Sequence, residues 1–212
     1  MDKIIIIGGG GHAKVLISIL KRLKKYYIVG YTDIQNNGPI LGVRYLGKDE
    51  NLARMAAQGV DNAVMGVGQI KNYQIRQKLA QRAQELGFKF PAICAPSAVI
   101  NEDVKLSEGS VVMDGVVINS GTTVGAFSII NTNASVDHDC KIDEFVHIAP
   151  GVTLSGAVHV HRFTLVGTGA AVIQGIEIGE GCVIGAGAAV MRNCEPYGMY
   201  IGSPAKKFSK VR

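Results

Sequence analysis

One stretch of the chain brings acid–base chemistry together: Asn131-Thr132-Asn133-Ala134-Ser135-Val136-Asp137-His138-Asp139-Cys140, with His147 seven residues further on. An imidazole whose ordinary pKa lies near neutral can take a proton from a nucleophile as it attacks an acyl carbon. A neighbouring carboxylate would hold the ring in one tautomer and steady the cation that forms. Asp137 and Asp139 both adjoin His138. Consecutive strand residues face opposite ways, so Asp139 can orient His138 only if a corner turns it back. Gly156 lies 18 residues after His138 and could leave room for a reacting group while offering its N–H to an oxyanion. A second chemical feature is the run Gly8-Gly9-Gly10-Gly11-His12. Glycines between a strand and a helix N-terminus expose backbone N–H groups to an anion.

The elements that would position these residues follow from periodicity. From Ile100, every sixth residue is aliphatic: Leu106, Val112, Ile118, Val124, Ile130, Val136, Ile142, Ile148, Leu154, Val160, Val166, Val172, Ile178, Ile184 and Val190. A period of six is neither helical nor that of a simple strand. It predicts a solenoid over 98–195, with very short strands, a corner after each, three strands per coil and about five coils. Small residues two positions earlier, such as Ser110, Thr122, Ala134, Cys140, Ala170, Cys182 and Ala188, suit the inside of the corners. His147 precedes Ile148 and is expected to point outward, as are Val111, Val117 and Ile129, which would suit a partner face.

Residues 1–85 read as a small parallel βαβαβ unit. Lys3–Ile7 is a buried strand, Ala13–Lys25 a helix, Tyr27–Tyr31 a strand ending at Asp33, 49–58 a helix, Asn62–Val67 a strand and 71–86 a helix. Asp33 stands where a ribose hydroxyl is usually gripped in nucleotide-binding units. The glycine spacing meets the dinucleotide pattern only loosely, and a second mononucleotide half is missing. A tight turn with no ligand is the alternative. Residues 86–97 carry two prolines and read as a linker, and 196–212 as a C-terminal tail.

A GGGGHAK loop on a truncated nucleotide-binding unit followed by a hexad solenoid resembles the PglD/NeuD-type sugar acetyltransferases. These include UDP-4-amino-sugar N-acetyltransferases and sialic-acid O-acetyltransferases. The resemblance spans essentially the whole chain. It implies an α/β Rossmann-like unit followed by a left-handed parallel β-helix, a homotrimer with sites between subunits, and acetyl-CoA as cosubstrate. It implies that Gly8, Gly10, Gly11, His12 and Asp33 hold the nucleotide of a sugar nucleotide, with Gly66, Gly68 and Arg76 contributing. It further implies His138 as base, Asp139 as its orienter and Asn131 as a companion, with His147 and Gly156 near the thioester. Asp139 departs from the glutamate of the amino-sugar branch by one methylene. The later coils, through Gly167 and Gly185, would offer a groove to the pantetheine arm. The tail Tyr200-Ile-Gly-Ser-Pro-Ala-Lys-Lys resembles that of hexapeptide acetyltransferases and would bring Lys206 and Lys207 to coenzyme A phosphates. The implied function is N-acetylation of a nucleotide-linked 4-amino-4,6-dideoxy sugar, in a pathway of the UDP-N-acetylbacillosamine type. An O-acetyltransferase and a non-catalytic nucleotide-sugar-binding trimer are the other readings.

Composition narrows the classes. The 212 residues carry a net charge of +5 at pH 7 and only 6% aromatics. A mild basic surplus suits an anionic small ligand, and without a nucleic-acid-binding motif no nucleic-acid partner is expected. No apolar stretch reaches the length of a membrane span, and Met1-Asp2-Lys3 leads straight into an isoleucine run, so a cytoplasmic protein is expected. Cys94, Cys140, Cys182 and Cys194 have no paired spacing, which argues against disulfides. His159 and His161 flank Val160 and face outward together. A zinc site of the gamma-carbonic-anhydrase kind is set aside because the local sequence shows no accompanying carboxylate, and no metal is expected.

Overall fold

A computed structural model describes residues 1–69 and 73–211. The chain divides into two compact units, 1–96 and 97–212.

In the first unit, β1 (Asp2–Ile7) lies between β2 (Tyr26–Thr32) and β3 (Asn62–Met65), all parallel. Ile4–Ile7 are fully buried, as a central strand covered on both faces requires. Between β1 and β2 runs helix α1 (Gly11–Leu23), which buries Ala13, Leu16, Ile17, Ile19 and Leu20. It starts two residues before the expected boundary, and it ends at Leu23, where Lys24 takes a left-handed conformation. Helix α2 spans Leu52–Ala57 after a single 3₁₀ turn, and α3 spans Tyr73–Glu85. Positions 71 and 72 of the last expected helix lie outside the described residues.

The expected linker differs from the structure. Residues 86–96 belong to the first unit, and Phe88, Phe90, Ile93 and Ala95 are buried. Lys89 N–H donates to Asp61 O at 2.8 Å, and Ala63 N–H donates to Lys89 O at 2.9 Å, so this stretch continues the sheet beside β3. Proline content drew the boundary too early, because aromatic side chains here fill the core rather than bridge solvent.

The second unit is a left-handed β-helix of about six turns with three parallel faces. One face runs from Val111–Val112 through Ile129–Ile130, His147–Ile148 and Leu165–Val166 to Val183–Ile184. Another stacks six strands from Val99–Ile100 to Ala189–Val190, and the third stacks five from Lys105–Leu106 to Glu177–Ile178. Residues 18 apart pair through the coils, for example Ser135 with Thr153 and Lys141 with His159, and the spacing shortens to 16 at the end, where Val183 pairs with Met199. The wall positions from Val112 to Val190 are buried, whereas Ile100 and Leu106, in the first coil with a neighbour on one side only, are half-buried.

Two features make the corners. First, every sixth residue from Asp103 to Gly187 has a positive φ. Where this residue is not glycine it is Asp103, Phe127, Asn133, Asp139, Phe145, Ala157 or Phe163. Second, buried hydroxyls satisfy backbone groups inside the bend. Thr122 Oγ1 donates to Asp137 O at 2.8 Å and accepts from Cys140 N–H at 3.1 Å; Thr164 treats Gly179 O and Cys182 N–H in the same way. Cys140 and Cys182 are the small fillers expected, and each thiol also meets a carbonyl, of Ser155 and Glu195. All four cysteines are free.

The tail folds as an antiparallel hairpin, Gly198–Ile201 with Lys206–Lys210, and its first strand pairs with Val183–Ile184. The outward apolar face differs from expectation. Val111 and Ile129 are fully buried within this chain, and only Val117 stays partly open.

Candidate active site

Asp139 carries a φ of +56° at the corner after strand Ser135–Val136. Aspartate tolerates that conformation better than most residues. It swings the carboxylate back over the preceding residue, so that His138 Nδ1 lies 2.9 Å from Asp139 Oδ2. The corner therefore does what strand alternation could not. Asp137 Oδ1 accepts from His138 N–H at 2.8 Å and from Asn119 Nδ2 at 2.9 Å, and Asn119 Oδ1 accepts from Asn101 Nδ2 at 2.7 Å. These polar groups recur every 18 residues on successive rungs and fix the backbone beneath the imidazole.

Electrostatics follow from this arrangement. The hydrogen bond to Asp139 and the nearby charge of Asp137 hold the His138 imidazole above its ordinary value. Bonds from Asn119 and the His138 backbone hold the Asp137 carboxyl below its own. The His138 side chain is 61% exposed.

Glycines shape both ends of the pair. A Cβ at Gly156 would fall 2.6 Å from His138 Nε2, and a Cβ at Gly121 would fall 2.5 Å from Asp139 Oδ1. The space at Gly156 is thus occupied by the imidazole itself rather than left for another group, a correction to the expectation. Ser155 N–H and Ala157 N–H are engaged by Val172 O and His138 O, while the Gly156 N–H has no hydrogen-bond partner among the described residues. Gly121 was missed in the sequence; its signal was its position 18 residues before Asp139.

Asn131 and His147 form a separate pair. Asn131 Nδ2 lies 3.0 Å from His147 Nε2, and Asn131 Oδ1 accepts from Thr132 N–H at 2.8 Å. His147 was expected to point outward into a cleft between subunits, and within this chain it is covered. It is 7% exposed, because it sits on the face whose outward residues Val111 and Ile129 are also covered. Strand Ser135–Val136 separates this corner from that of His138, so one chain carries the two pairs at different corners of one coil. On the rungs above Asn131 come Ala149, Gly167 and Gly185. A Cβ at Gly167 would strike Ile184 O at 2.5 Å, and one at Gly185 would strike Ile201 Cγ2 at 2.8 Å. Their lack of a side chain lets the next rung close down; both remain half-buried. On the rungs above Asp137 come Ser155 and then exposed Ile173 and Met191, a small apolar ledge the sequence did not flag.

In the first unit, a cleft of about 510 Å³ is lined by Gly9, Gly10, Gly11, Lys14, Asn37, Pro39, Ile40 and Leu41. A Cβ at Gly10 or Gly11 would meet nothing within 4 Å, so the loop is open there. Gly8 has a φ of +105°, and a Cβ would strike Val67, so this glycine serves the backbone. Gly66 packs against Gly8 O, and Gly68 lies over His12. Asp33 braces the loop: its Oδ2 accepts from Gly9 N–H at 2.6 Å and its Oδ1 from Gln35 N–H at 3.1 Å. His12 is half-buried on the first turn of α1. Arg76 differs from the expectation of a ligand-facing cation. It is fully buried, donates to Val67 O, and burial pushes its guanidinium down to about 9. Lys14, Asn37 and the Pro39–Leu41 turn went unread as site residues because they adjoin the glycines only in space. In the tail, Lys206 is exposed and Lys207 pairs with Glu195.

The last two histidines meet carboxylates that come from neighbouring rungs. Asp143 Oδ1 lies 3.1 Å from His159 Nε2, Asp143 Oδ2 lies 3.4 Å from His161 Nδ1, and His161 Nε2 lies 2.7 Å from Glu177 Oε1. The expectation of no accompanying carboxylate is therefore overturned; the acids lie 16 or 18 residues from their histidines and are invisible to a local reading.

A family profile described as the PglD N-terminal domain matches residues 3–83. Perosamine N-acetyltransferase from Caulobacter crescentus is 37% identical, with a TM-score of 0.94 over 99% of this chain and 98% of that one. It was solved with CoA and GDP-perosamine, in one case with a histidine changed to asparagine. The chain belongs to the PglD-type family of sugar acetyltransferases. The acetyltransferase domain of PglB from Neisseria gonorrhoeae FA1090, solved with acetyl coenzyme A, is 34% identical, with a TM-score of 0.91 over 97% of this chain and 98% of that one. WeeI from Acinetobacter baumannii AYE, 23% identical with a TM-score of 0.87 over 98% of this chain, shares the fold. Like its relatives, this PglD-type chain is an acetyltransferase.

Proposed function

We propose that this acetyltransferase moves the acetyl group of acetyl-CoA to the amine of a nucleotide-linked 4-amino-4,6-dideoxy sugar. Its two closely matched relatives were solved with CoA and GDP-perosamine and with acetyl coenzyme A. The observation that carries the mechanism is the His138–Asp139 pair seated over Gly156. With Nδ1–H donated to Asp139, Nε2 is the lone-pair nitrogen. It takes the amine proton as nitrogen attacks the thioester carbon. The tetrahedral oxyanion would be met by the Gly156 N–H. Collapse breaks the C–S bond, and the thiolate leaves with the proton from His138 as free CoA thiol.

Asn131 and His147 sit at another corner of the coil, so we place them across a cleft between subunits of a homotrimer, with His147 toward the thioester. The pantetheine arm would run along the Asp137–Ile173–Met191 corner. Lys206 would approach the coenzyme phosphates, and Lys207 would do so after leaving Glu195. In the first unit Gly10, Gly11 and Lys14 would take the diphosphate, with His12 beside them; Asp33 and Gly8 would hold the loop in shape, and Gly66 and Gly68 its floor. Arg76 would act only by supporting Val67.

The test is thiol release from acetyl-CoA with GDP-, UDP- and dTDP-linked 4-amino sugars. Wild type is expected to turn over at least one of them, and His138→Ala to lower turnover by about 10²–10⁴-fold with acetyl-CoA binding intact. Near-normal turnover in that variant would remove the mechanism. Transfer to a hydroxyl acceptor alone would replace the amine reading.

A further inference from the structure

Asp143, His159 and His161 converge on the corner after strand Lys141–Ile142, on successive rungs of one face. Each offers a ligand atom, and these atoms all lie within 4.8 Å of one another. The two imidazole rings stand 3.8 Å apart, centroid to centroid, and each side chain is 25–30% exposed.

We propose that Asp143, His159 and His161 form a binding site for a zinc-class divalent ion, with Glu177 as its outer support. With metal–ligand bonds of about 2.0–2.1 Å, neighbouring ligands around a tetrahedral ion stand about 3.3 Å apart. One pair already stands near that edge, His159 Nε2 at 3.1 Å from Asp143 Oδ1, while His161 Nδ1 lies 3.4 Å from the other oxygen of the same carboxylate. Two imidazoles and a carboxylate also select a transition ion over magnesium or calcium, which prefer all-oxygen sets. The outer sphere is built as well. His161 can present Nδ1 inward while its Nε2–H is held by Glu177 at 2.7 Å. This carboxylate–histidine arrangement fixes the tautomer of a metal-ligating ring.

On binding, each imidazole presents a lone pair to the ion, His159 at Nε2 with its ring hydrogen on Nδ1 and His161 at Nδ1 with its hydrogen on Nε2 toward Glu177; a water completes the fourth position. Lys141, whose Nζ is 3.9 Å from Asp143 Oδ1 and largely exposed, moves aside. The ion would tie three consecutive coils together, since Asp143, the histidine pair and Glu177 lie on successive rungs. The site lies one corner past His138, and acetyl transfer is not routed through it.

Metal-stripped protein is titrated with zinc chloride by calorimetry and by thermal melting, with magnesium chloride in parallel. One zinc per chain and a raised Tm are expected, with no magnesium response. The double variant His159→Ala/His161→Ala should lose that equivalent, while His138→Ala keeps it. Glu177→Gln should weaken binding by about 10–100-fold. The single variants His159→Gln and His161→Gln, each close in size to the original, are read in the same way should the double variant fold poorly. Absence of a one-to-one zinc event in wild type, or full binding in the histidine variants, would overturn the site.

Discussion

In the proposed mechanism, two aspartates with different jobs set the reactivity of His138. Asp139 touches the ring and Asp137 touches the backbone of the same residue. A base must be neutral to work, and both carboxylates raise the imidazole above its ordinary 6.5. Activity should therefore fall as pH drops through a value above 6.5. In Asp139→Asn, which keeps the shape of the corner, the acid limb of the kcat/KM profile should move to lower pH and the plateau should drop. An unmoved limb would mean that Asp139 does not set the ring's proton affinity. Asp137→Asn should also lower the limb, by charge alone, with little change in KM. The neighbourhood of His138 was legible in the sequence because it is local. Gly156 could be read from its spacing, but the Gly121 floor and the Asn101–Asn119–Asp137 stack became visible only once the structure set rungs over one another. The acids around His159 and His161 were missed for the same reason.

Among the elements, the aliphatic hexad was the part most readily read, since one large residue per strand must fill each wall. Ile148, fully buried in the middle of its face, should cost about 2–5 kcal/mol when cut to alanine, measured by denaturant unfolding. The corner thiols make a second test. Burial raises Cys140, Cys182 and Cys194, the last to about 12, so they are held as thiols. None of these three should react with an aromatic disulfide reagent at neutral pH until the protein is unfolded; fast labelling of the native protein would show that the corners open. What composition could not show was the stretch 86–96. Prolines suggested a linker, but Phe88 and Phe90 are core residues, and aromatic burial outweighs the breaks that proline makes in the ladder.

On the scale of the whole molecule, the separation of the Asn131–His147 corner from the His138 corner makes a prediction of its own. If each site draws one corner from each of two neighbouring chains in a trimer, two inactive variants should rescue each other. Mixing His138→Ala with His147→Ala after subunit exchange should restore about one site in four. No recovery in verified mixed assemblies would place both corners of a site on one chain. Among the described residues no helix is long and apolar enough to cross a membrane.

The closing hairpin carries a consequence for solution behaviour. A stack of parallel rungs presents the same unpaired amides at its last coil as it does at every joint, and such an end is a template for another chain. Gly198–Ile201 and Lys206–Lys210 occupy the Val183–Ile184 edge and finish it with lysines. Shortening the chain to residue 197 should therefore turn a well-behaved particle into one that grows lengthwise, seen as rising light scattering with protein concentration.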